Sequence, residues 1–481
     1  MTERGALKDR INSLAQKFLE NTKDKDIQVV SHFDTDGISS AALAILALRK
    51  KDKRFSLEIV KSLTEEFINK LDKEKPVLFL DLASGSLEAI KNAGLKEAYI
   101  VDHHELPLGE ETQIPDNVEI ANPQLHDKEK LSGSALTYLF SKAIDERNKE
   151  HAKLGILGLI GDSMEKDMDK IVNEILEDSE VQKRRGPLIY PSTRPLNRTL
   201  EYCSSFYIPD VTGNIKGVLE LLREAGITPE NGKYKSLIEL KDDEMQQLIT
   251  SILLRNPRVK NEEIVGDIFL IKFFNKLEDA RELSAKINAC SRLGEPEVAV
   301  QLCLELSNAK KRAETIHAKY KQEIVSGLKQ VQNQEKIQGK NYVIANAQDK
   351  IKDTMAGTIA SILSNSKVYD PGTIIVTMAN DTQNPEKVKV SARNVKDLSD
   401  ENNNAKNVRE VLNDVVKGLP GEAEVGGHEH AAGAIIDKEQ EQKFMNTLKE
   451  KLEIQKVNVK QKVQVPPEER KDSQNQENPT E

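Results

Sequence analysis

Short apolar runs rich in β-branched residues recur through the first part of the chain. They cover 26–33, 76–83, 97–102 and 117–122, and helical patterns at 38–50 and 132–149 lie between or after them. Strands that alternate with helices predict an α/β domain, with a parallel sheet and helices on its faces, over residues 1–204. Ligands of such sheets bind beyond the carboxyl ends of the strands.

The hydrophobic pattern changes after this domain. Residues 205–265 are typical of two amphipathic helices joined by a turn-rich segment, which predicts a helical insertion. Residues 266–335 are predicted to continue as helix and include a long connecting helix, 309–332. A second, smaller α/β domain is predicted over 336–455. Apolar residues are sparse in 456–481, so this tail is predicted to be disordered.

Composition narrows the class of protein. A chain of 481 residues is too long for one ordinary core, so several domains are expected. No apolar run approaches the roughly 18 residues of a membrane span, and the chain starts with an amphipathic pattern, not a signal peptide. Cys203, Cys290 and Cys303 lack zinc-ligand spacing and indicate reduced thiols. We therefore expect a cytoplasmic protein with no membrane contact.

The net charge of -9 argues against a protein that coats polyanions in general, although it is compatible with a local basic groove. Two short stretches are basic, "KRRG" (183–186) and "STRPLNR" (192–198). They are interpreted either as solvated surface or as a guide for a nucleic-acid strand.

Several strand and helix ends carry side chains of the kind that bind metal ions. They are His32, Asp34, Asp36, Asp81, Asp102, His103, His104 and Asp162. Each aspartate alone could be a helix N-cap, which is the first interpretation of Asp36 or Asp162 taken singly. Their recurrence together with histidines favours a metal site, and mixed oxygen and nitrogen ligands suit Mn²⁺ better than Mg²⁺. The dense negative charge predicts two divalent cations, with Asp81 from the middle strand between them, an arrangement that hydrolyses phosphoesters.

The motifs themselves resemble a known family. "VDHHE" (101–105), with "DTDG", "DLA" and "GLIGD", resembles the DHH phosphoesterase superfamily. "INACSRLGEPEVAV" (287–300) resembles a segment of the RecJ exonucleases. "DTMAGTIASIL" (353–363), "VSARN" (390–394) and "GGHEHAAGA" (426–434) resemble the DHHA1 domain, in that order. The whole is similar to the archaeal RecJ-like nucleases, which include a nuclease associated with the replisome protein GINS.

The resemblance implies a role for each candidate residue. His32 and Asp34 would hold one ion, Asp36, His103 and Asp162 the other, and Asp81 would bridge them. His104 would stabilise charge on the scissile phosphate, and Asp102 would orient the histidines or help to ligate. Mn²⁺ is the expected ion, with Mg²⁺ and Co²⁺ as alternatives. His32 departs from bacterial RecJ, which usually has aspartate there, so metal preference and rate are open.

The second domain is expected to hold substrate. Gly426 and Gly427 would let backbone approach an anion closely, and His428 and Arg393 would contact phosphate. The alternative for the glycines is a tight turn with a solvated histidine. Arg292 is interpreted either as a phosphate ligand or as the partner of an acid.

The resemblance implies a metal-dependent exonuclease in replication or repair. It would release mononucleotides from single-stranded nucleic acid, 5′ to 3′ on DNA and with RNA as an alternative substrate. A phosphodiesterase of short oligonucleotides or cyclic dinucleotides is one alternative. A structural replisome subunit is another, since a eukaryotic helicase component of this fold has lost its metal ligands. The insertion, 205–265, is predicted to bind a replisome protein such as GINS.

Overall fold

The computed structural model describes most of the chain. The described residues are 6–106, 114–126, 129–166, 168–201, 203, 208–255, 261–365, 368–395, 406–420 and 423–453, and the predicted disordered tail lies outside them. The predicted fold class is confirmed, because a parallel sheet with flanking helices is joined to a second sheet domain. No helix within the described ranges combines the length and apolar character needed to cross a membrane.

The N-terminal domain is built on a five-stranded parallel sheet in the order β2-β1-β3-β4-β5. Its strands are β1 (Ile27–His32), β2 (Phe55–Val60), β3 (Val77–Leu80), β4 (Ala98–Val101) and β5 (Val118–Ala121). Four of them are the predicted strands. The edge strand β2 was not predicted, although four of its six residues are apolar and they alternate with Ser56 and Glu58, which is the pattern of a strand with one exposed face. The parallel register brings the carboxyl ends of all five strands to one edge.

Helices cover both faces of this sheet. They are α1 (Ala6–Asn21), α2 (Thr35–Lys50), α3 (Glu65–Lys70), α4 (Leu87–Ala93), α5 (Gly133–Ile144), α6 (Ala152–Gly161) and α7 (Lys170–Asp178). Helix α2 is buried along most of its length between α5, α6 and the sheet, which its many alanines and serines allow. The helix predicted over 132–149 ends at Ile144, because Asp145 caps a separate 3₁₀ turn that follows.

The insertion has its own apolar core and its own sheet. It contains β6 (Gln182–Pro187), α8 (Leu196–Glu201), α9 (Ile215–Glu224), α10 (Asp242–Arg255), α11 (Asn261–Ile264), β7 (Val265–Phe273) and β8 (Lys276–Asp279), with the antiparallel order β6-β7-β8. Its core includes Ile189, Leu196 and Leu270, which lie outside the predicted range of 205–265.

The prediction that helix follows residue 265 directly is wrong. Strand β7 lies between two cores, with Ile268 and Leu270 in the core of the insertion and Phe269 and Ile271 in that of the N-terminal domain. A strand that is buried on both faces has no alternation of polar and apolar residues. Its period of two is therefore hidden in the sequence.

A long helix connects the two domains. It follows α12 (Ala280–Arg292) and α13 (Pro296–Cys303), and it is α14 (Ala309–Asn333), about 37 Å long at the usual rise per residue. Ala313 and Ile316 belong to the core of the N-terminal domain, and Ile324 and Val331 to that of the second domain. Because one continuous helix contributes to both cores, it fixes the spacing of the domains.

The second domain has a six-stranded sheet in the order β13-β14-β12-β11-β10-β9. Its elements are β9 (Ile337–Gln338), β10 (Tyr342–Asn346), α15 (Asp353–Asn365), β11 (Ile374–Asn380), β12 (Lys387–Asn394), α16 (Val408–Val416), β13 (Glu424–His428), β14 (Ala431–Asp437) and α17 (Glu441–Glu453). Helices α14 and α15 cover one face, and α16 and α17 cover the other. The sequence motif at 426–434 forms the β13–β14 hairpin.

Candidate metal centre

The turn from β1 into α2 places two carboxylates side by side. Asp34 caps α2 and accepts a hydrogen bond from Gly37 N at 3.0 Å. Asp36 is fully buried, and its carboxylate accepts from the backbone N–H groups of Gly133 (2.6 Å) and Ser134 (3.0 Å) in the first turn of α5. The N-terminus of α5 therefore stabilises the buried charge of Asp36.

Asp81 follows β3 and is the most constrained residue of the site. It is 1% exposed, and neither of its carboxylate oxygens has a hydrogen-bond partner among the described residues. Its φ of 56° lies in the left-handed region, which is unusual for a residue with a side chain. A Cβ at Gly133 would lie 2.5 Å from Asp81 Oδ1, so glycine is required there.

Asp102 follows β4 and holds the adjacent histidines. Its Oδ2 accepts from Ser84 N (2.9 Å), and its Oδ1 accepts from His103 N (2.8 Å) and from Nδ1 of His104 (2.8 Å). Burial opposes ionisation of Asp102, but the hydrogen bond and charge of His104 outweigh it and lower the pKa of the carboxyl. Its bonding supports the orienting role.

The structure brings the predicted ligands together in two clusters. In one, His32 Nδ1 lies 3.0 Å from Asp34 Oδ2 and 3.6 Å from Asp81 Oδ2. In the other, His103 Nε2 lies 3.4 Å from Asp162 Oδ2 and 3.8 Å from Asp36 Oδ2. Within each of these triads, ligand atoms lie within 4.8 Å of one another.

Asp81 borders both clusters through different oxygens. Its Oδ2 faces His32, and its Oδ1 lies 3.3 Å from Nε2 of His103. This is the arrangement that a bridging carboxylate needs. Asp162 joins the second cluster from the C-terminal end of α6, where it caps the helix.

The unsatisfied atoms of the two clusters fit divalent cations. Nδ1 of His32, both oxygens of Asp81 and Nε2 of His103 are buried and lack hydrogen-bond partners within the described part of the chain. Burial, and then the charges of Asp36 and Asp34, raise the pKa of Asp81 and of Asp162. Buried carboxylates that repel one another are stabilised by cations. The mixture of imidazole and carboxylate suits Mn²⁺ or a similar ion.

His104 adjoins these clusters: its Nδ1 lies 3.9 Å from Asp81 Oδ1, and it forms a third group of possible ligands with Asp81 and His103. Its side chain is half-exposed, and Asp102 engages its Nδ1, so only Nε2 can donate to a substrate. Burial favours neutral imidazole, but the hydrogen bond and charge of Asp102 prevail and raise the pKa of His104 above its ordinary value. The ring is therefore suited to donate to an anionic group.

Helix α12 holds the turn from β1 into α2, which carries Asp34 and Asp36 and is called here the metal-ligand turn. The sequence did not predict this contact. Thr35, between Asp34 and Asp36, donates its N–H to Asn288 Oδ1 (3.1 Å), and its hydroxyl donates to Ser284 O (3.1 Å). Ser284 and Asn288 lie one turn apart on the same face of α12. The position of the metal-ligand turn therefore depends on this helix.

Arg292 ends α12, one helical turn beyond Asn288, and lies close to Arg393 of β12. Arg292 donates to Tyr320 Oη (2.9 Å) and to the hydroxyl of Thr358. Arg393 donates to Ser361 Oγ (3.0 Å) and to backbone carbonyls. Neither arginine pairs with a carboxylate among the described residues, and burial, then the charge of Arg292, lower the pKa of Arg393. Two neighbouring guanidinium groups with neutral partners can bind an anion.

The β13–β14 hairpin forms a platform of small residues beside Arg393. Cross-strand pairing puts Arg393, Ala431 and His428 in one row, and Ser391, Gly433 and Gly426 in a second row on the same face. The second row, called here the small-residue platform, carries almost no side chain. Next to it, Gly427 has a φ of 108° and a Cβ there would lie 2.4 Å from Ala431 O, so the hairpin requires glycine.

The basic stretches of the insertion are mostly engaged in internal contacts. Lys183 and Arg185 pair with Asp267, and Arg194 pairs with Glu282. Arg184 donates to the backbone carbonyls of Ile238 and Leu240. These contacts fit neither predicted alternative fully: the side chains are paired within the protein instead of only solvated, and this weighs against a guide for a strand.

Three segments of the chain match known domain families. Residues 26–160 match the DHH family, N-terminal domain, residues 189–264 the DHH-CID domain, and residues 339–453 the DHHA1 domain. An uncharacterised protein of Methanocaldococcus jannaschii is 30% identical over 436 residues, which cover 88% of this chain and 92% of that protein.

Solved structures share the fold at low sequence identity. RecJ of Thermus thermophilus in complex with Mn²⁺ has a TM-score of 0.55 and 18% identity, and the likeness covers 92% of this chain but 54% of that one. CDC45 of Entamoeba histolytica has a TM-score of 0.61 and 11% identity, covering 92% of this chain and 99% of that one. The likeness thus spans about half of that RecJ chain and nearly all of the CDC45 chain.

We expect the affinity for Mn²⁺ to fall when the pH is lowered from about 7.5 to about 5.5. The pKa values of Asp81 and Asp162 are raised in the free site, so acid favours their protonated forms and a cation must displace those protons. Calorimetric titration in two buffers of different ionisation enthalpy measures the affinity and the protons released. Equal affinity at both pH values, without proton release, would contradict this prediction.

Proposed function

Because this chain belongs to the DHH family and has its phosphoesterase fold, we propose that it is a metal-dependent exonuclease. It degrades single-stranded nucleic acid from one end to mononucleotides, 5′ to 3′ on DNA. The observation that carries this proposal is the connection of the two ligand clusters to the Arg292–Arg393 pair through helix α12, which bonds the turn that carries Asp34 and Asp36 and ends in Arg292. A metal centre opposite a phosphate-binding surface is what hydrolysis of a polymeric phosphodiester requires.

We assign His32, Asp34 and Asp81 to one cation, and Asp36, His103, Asp162 and Asp81 to the other. When bound, two divalent cations supply activation of water and neutralisation of charge for phosphoester hydrolysis. The protein's part is to hold these ligands at a fixed separation. The Gly133 and Ser134 amides hold the Asp36 carboxylate in place, and the backbone conformation of Asp81 fixes the position of the proposed bridge.

His104 is assigned to the scissile phosphate. The Asp102 carboxylate fixes the imidazole ring of His104 and keeps a proton on its Nδ1. The Nε2–H group of His104 is then the one that donates to the scissile phosphate. A positively charged imidazole that is held in place stabilises negative charge as it develops on the phosphate.

The second domain is assigned to the rest of the strand. Arg292 and Arg393 hold a phosphate between them, which removes the repulsion of their like charges. The small-residue platform lets the backbone of a single strand approach the sheet closely, and His428 borders it. Arg292 lies about 6 Å along α12 from Asn288, since four residues make about one helical turn, so the phosphate pair and the metal-ligand turn are held by one helix.

Asp81→Asn is expected to reduce hydrolysis of end-labelled single-stranded DNA to background in the presence of Mn²⁺, and to weaken Mn²⁺ binding. The carboxamide of asparagine has nearly the same shape as the Asp81 carboxylate, but it lacks the negative charge that borders both ligand clusters. His104→Ala is expected to keep Mn²⁺ binding and to lose about 100- to 1,000-fold in rate, as for removal of one donor to a developing charge.

Asp26→Asn, at an exposed ion pair with Arg54, is the matched control and should behave as wild type. Calorimetry and product ladders on the four proteins measure both effects. An Asp81→Asn protein that binds two ions normally and still degrades the strand would contradict the two-metal assignment. Inactivity of wild type on DNA and RNA with Mn²⁺, Mg²⁺ and Co²⁺ would favour a structural subunit.

Arg393→Lys is expected to raise KM about 10-fold or more with little change in kcat, because a charge-assisted hydrogen bond to ground-state phosphate is lost. Lysine retains the charge but lacks the planar guanidinium, which bonds Ser361 through one nitrogen and can bond phosphate through another. Steady-state kinetics on single-stranded DNA measures the split. A fall in kcat at unchanged KM would mean that Arg393 acts in the bond-breaking step.

The insertion is proposed to bind a replisome protein such as GINS. Ile215 and Leu219 lie one turn apart on α9 and are 41% and 42% exposed. An exposed apolar pair on a domain that contributes no residue to the metal centre is typical of an interface for a protein partner.

The double variant Ile215→Ser, Leu219→Ser is expected to weaken binding to purified GINS at least about 10-fold, as for the loss of two apolar contacts at an interface. Leu306→Ser, at a site 46% exposed outside the insertion, is the control. Calorimetry or surface plasmon resonance measures the affinities. Equal loss in both variants, or none in either, would refute this location of the interface.

A further inference from the structure

An ion pair joins the two domains immediately beside His104. Arg409 Nη1 in the first turn of α16 lies 2.6 Å from Oε2 of Glu105, the residue that follows His104. Glu105 is 56% exposed and Arg409 37% exposed. The start of α16 is held by Asn407, whose Oδ1 accepts from Arg409 N at 3.1 Å. Arg409 therefore has a fixed backbone and a partner that is free to move.

The same region is continuous with the small-residue platform. Val408 N donates to Glu429 O (2.8 Å) in the turn of the β13–β14 hairpin, next to His428. The hydrogen bond from Arg409 lowers the pKa of Glu105, and the charge of His428 contributes in the same direction. Glu105 is therefore paired with Arg409 where the start of α16 and the β13–β14 hairpin meet the residues that follow β4.

We propose that Arg409 is a further substrate-binding residue and that Glu105 occupies it in the free protein. This rests on the proposed function, with single-stranded nucleic acid as the ligand. A phosphate of the entering strand takes the place of the Glu105 carboxylate at Arg409, and Glu105 turns into solvent.

The chemistry of the pair makes this exchange inexpensive. Exposed ion pairs contribute little to stability, because solvent screens the charges and ordering two side chains costs entropy. Arg409 contacts Glu105 through one nitrogen, whereas a phosphate offers several oxygens to the planar guanidinium. Glu105 and a phosphate carry like charges, so an arriving phosphate also repels the carboxylate that it displaces.

A second ion pair between the domains, Lys61–Asp353, contains a carboxylate that is fixed more firmly than that of Glu105. Lys61 Nζ lies 3.0 Å from Asp353 Oδ2, but Asp353 is buried and its other oxygen accepts from the hydroxyl of Thr382 at 2.6 Å. That carboxylate is fixed on two sides, as expected of a contact that holds the domains together. Glu105 has no such second anchor among the described residues, which suits a carboxylate that is replaced.

The consequence concerns specificity. While Glu105 is paired with Arg409, a small anion that makes no other contact gains little binding free energy when it displaces Glu105. A strand that also contacts Arg393 brings a further phosphate to Arg409 at high local concentration and displaces Glu105. Glu105 therefore favours polymeric phosphodiesters over free phosphate and mononucleotide product.

The test compares the variants Glu105→Gln, Arg409→Gln and their combination in the full chain. The probe is a 3′-fluorescein-labelled single-stranded oligonucleotide, with Ca²⁺ in place of Mn²⁺, and fluorescence anisotropy measures Kd. Glu105→Gln should tighten binding about 3- to 10-fold, and Arg409→Gln should weaken it about 10-fold. In the double variant the gain from Glu105→Gln should vanish, because no arginine remains to be released. Arg54→Gln, at the exposed Arg54–Asp26 pair, should not change Kd.

Opposite effects of the two single variants separate this proposal from a purely structural ion pair, whose loss from either side would change binding in the same direction. Weaker or unchanged binding by Glu105→Gln, or failure of wild type to bind the oligonucleotide, would overturn it. Hydrolysis in Mn²⁺ is measured separately. The expected order of Kd values without hydrolysis would refute the nuclease and leave the assignment of Arg409 standing.

Discussion

Burial of the Asp81 carboxylate without a hydrogen-bond partner among the described residues is the constraint on which the site depends. An isolated buried carboxylate costs several kcal/mol, about the whole margin of stability of a domain, unless a cation compensates it. Asp36 and Asp162 add like charges nearby. The surroundings leave space for this charge instead of neutralising it, since a Cβ at Gly158 would lie 2.3 Å from Asp36 Oδ1, as one at Gly133 would crowd Asp81. A fold that clears space around repelling carboxylates is organised for cations.

Helix α12 connects this constraint to the second domain. Its side chains bond the turn that carries Asp34 and Asp36, and its last residue, Arg292, bonds Tyr320 of α14 and Thr358 of α15. One rigid element therefore sets the distance between the proposed metal ligands and the proposed phosphate-binding pair. Under this proposal, a substrate that contacts both has a phosphate spacing that fits this helix, and the two domains act as one site.

The sequence predicted those elements whose local pattern of apolar and polar residues matches their burial in the folded chain. The strands that end at His32 or just before Asp81 and Asp102 are apolar runs followed by polar residues, and parallel pairing then requires their ends to meet. It did not predict β7, whose two faces lie in two different cores. Nor did it predict contacts such as Glu105–Arg409, whose partners are 304 residues apart, because side-chain pairing across domains leaves no local pattern. The basic stretch 183–186 shows the same limit, since Asp267 pairs with it from another strand.

Histidine at position 32 makes the two proposed ligand sets alike. The first has one imidazole, from His32, with the carboxylates of Asp34 and Asp81, and the second has one, from His103, with Asp36 and Asp162. An aspartate at position 32 would leave the first set with oxygen ligands alone and one more negative charge, which suits a hard ion such as Mg²⁺. With imidazole in both sets, a borderline ion such as Mn²⁺ or Co²⁺ gains at both positions, because nitrogen ligands favour it over Mg²⁺. One more buried negative charge beside Asp81 would also increase the repulsion that the free site must bear. The histidine therefore lowers the cost of the site without metal and favours the same kind of ion at both positions.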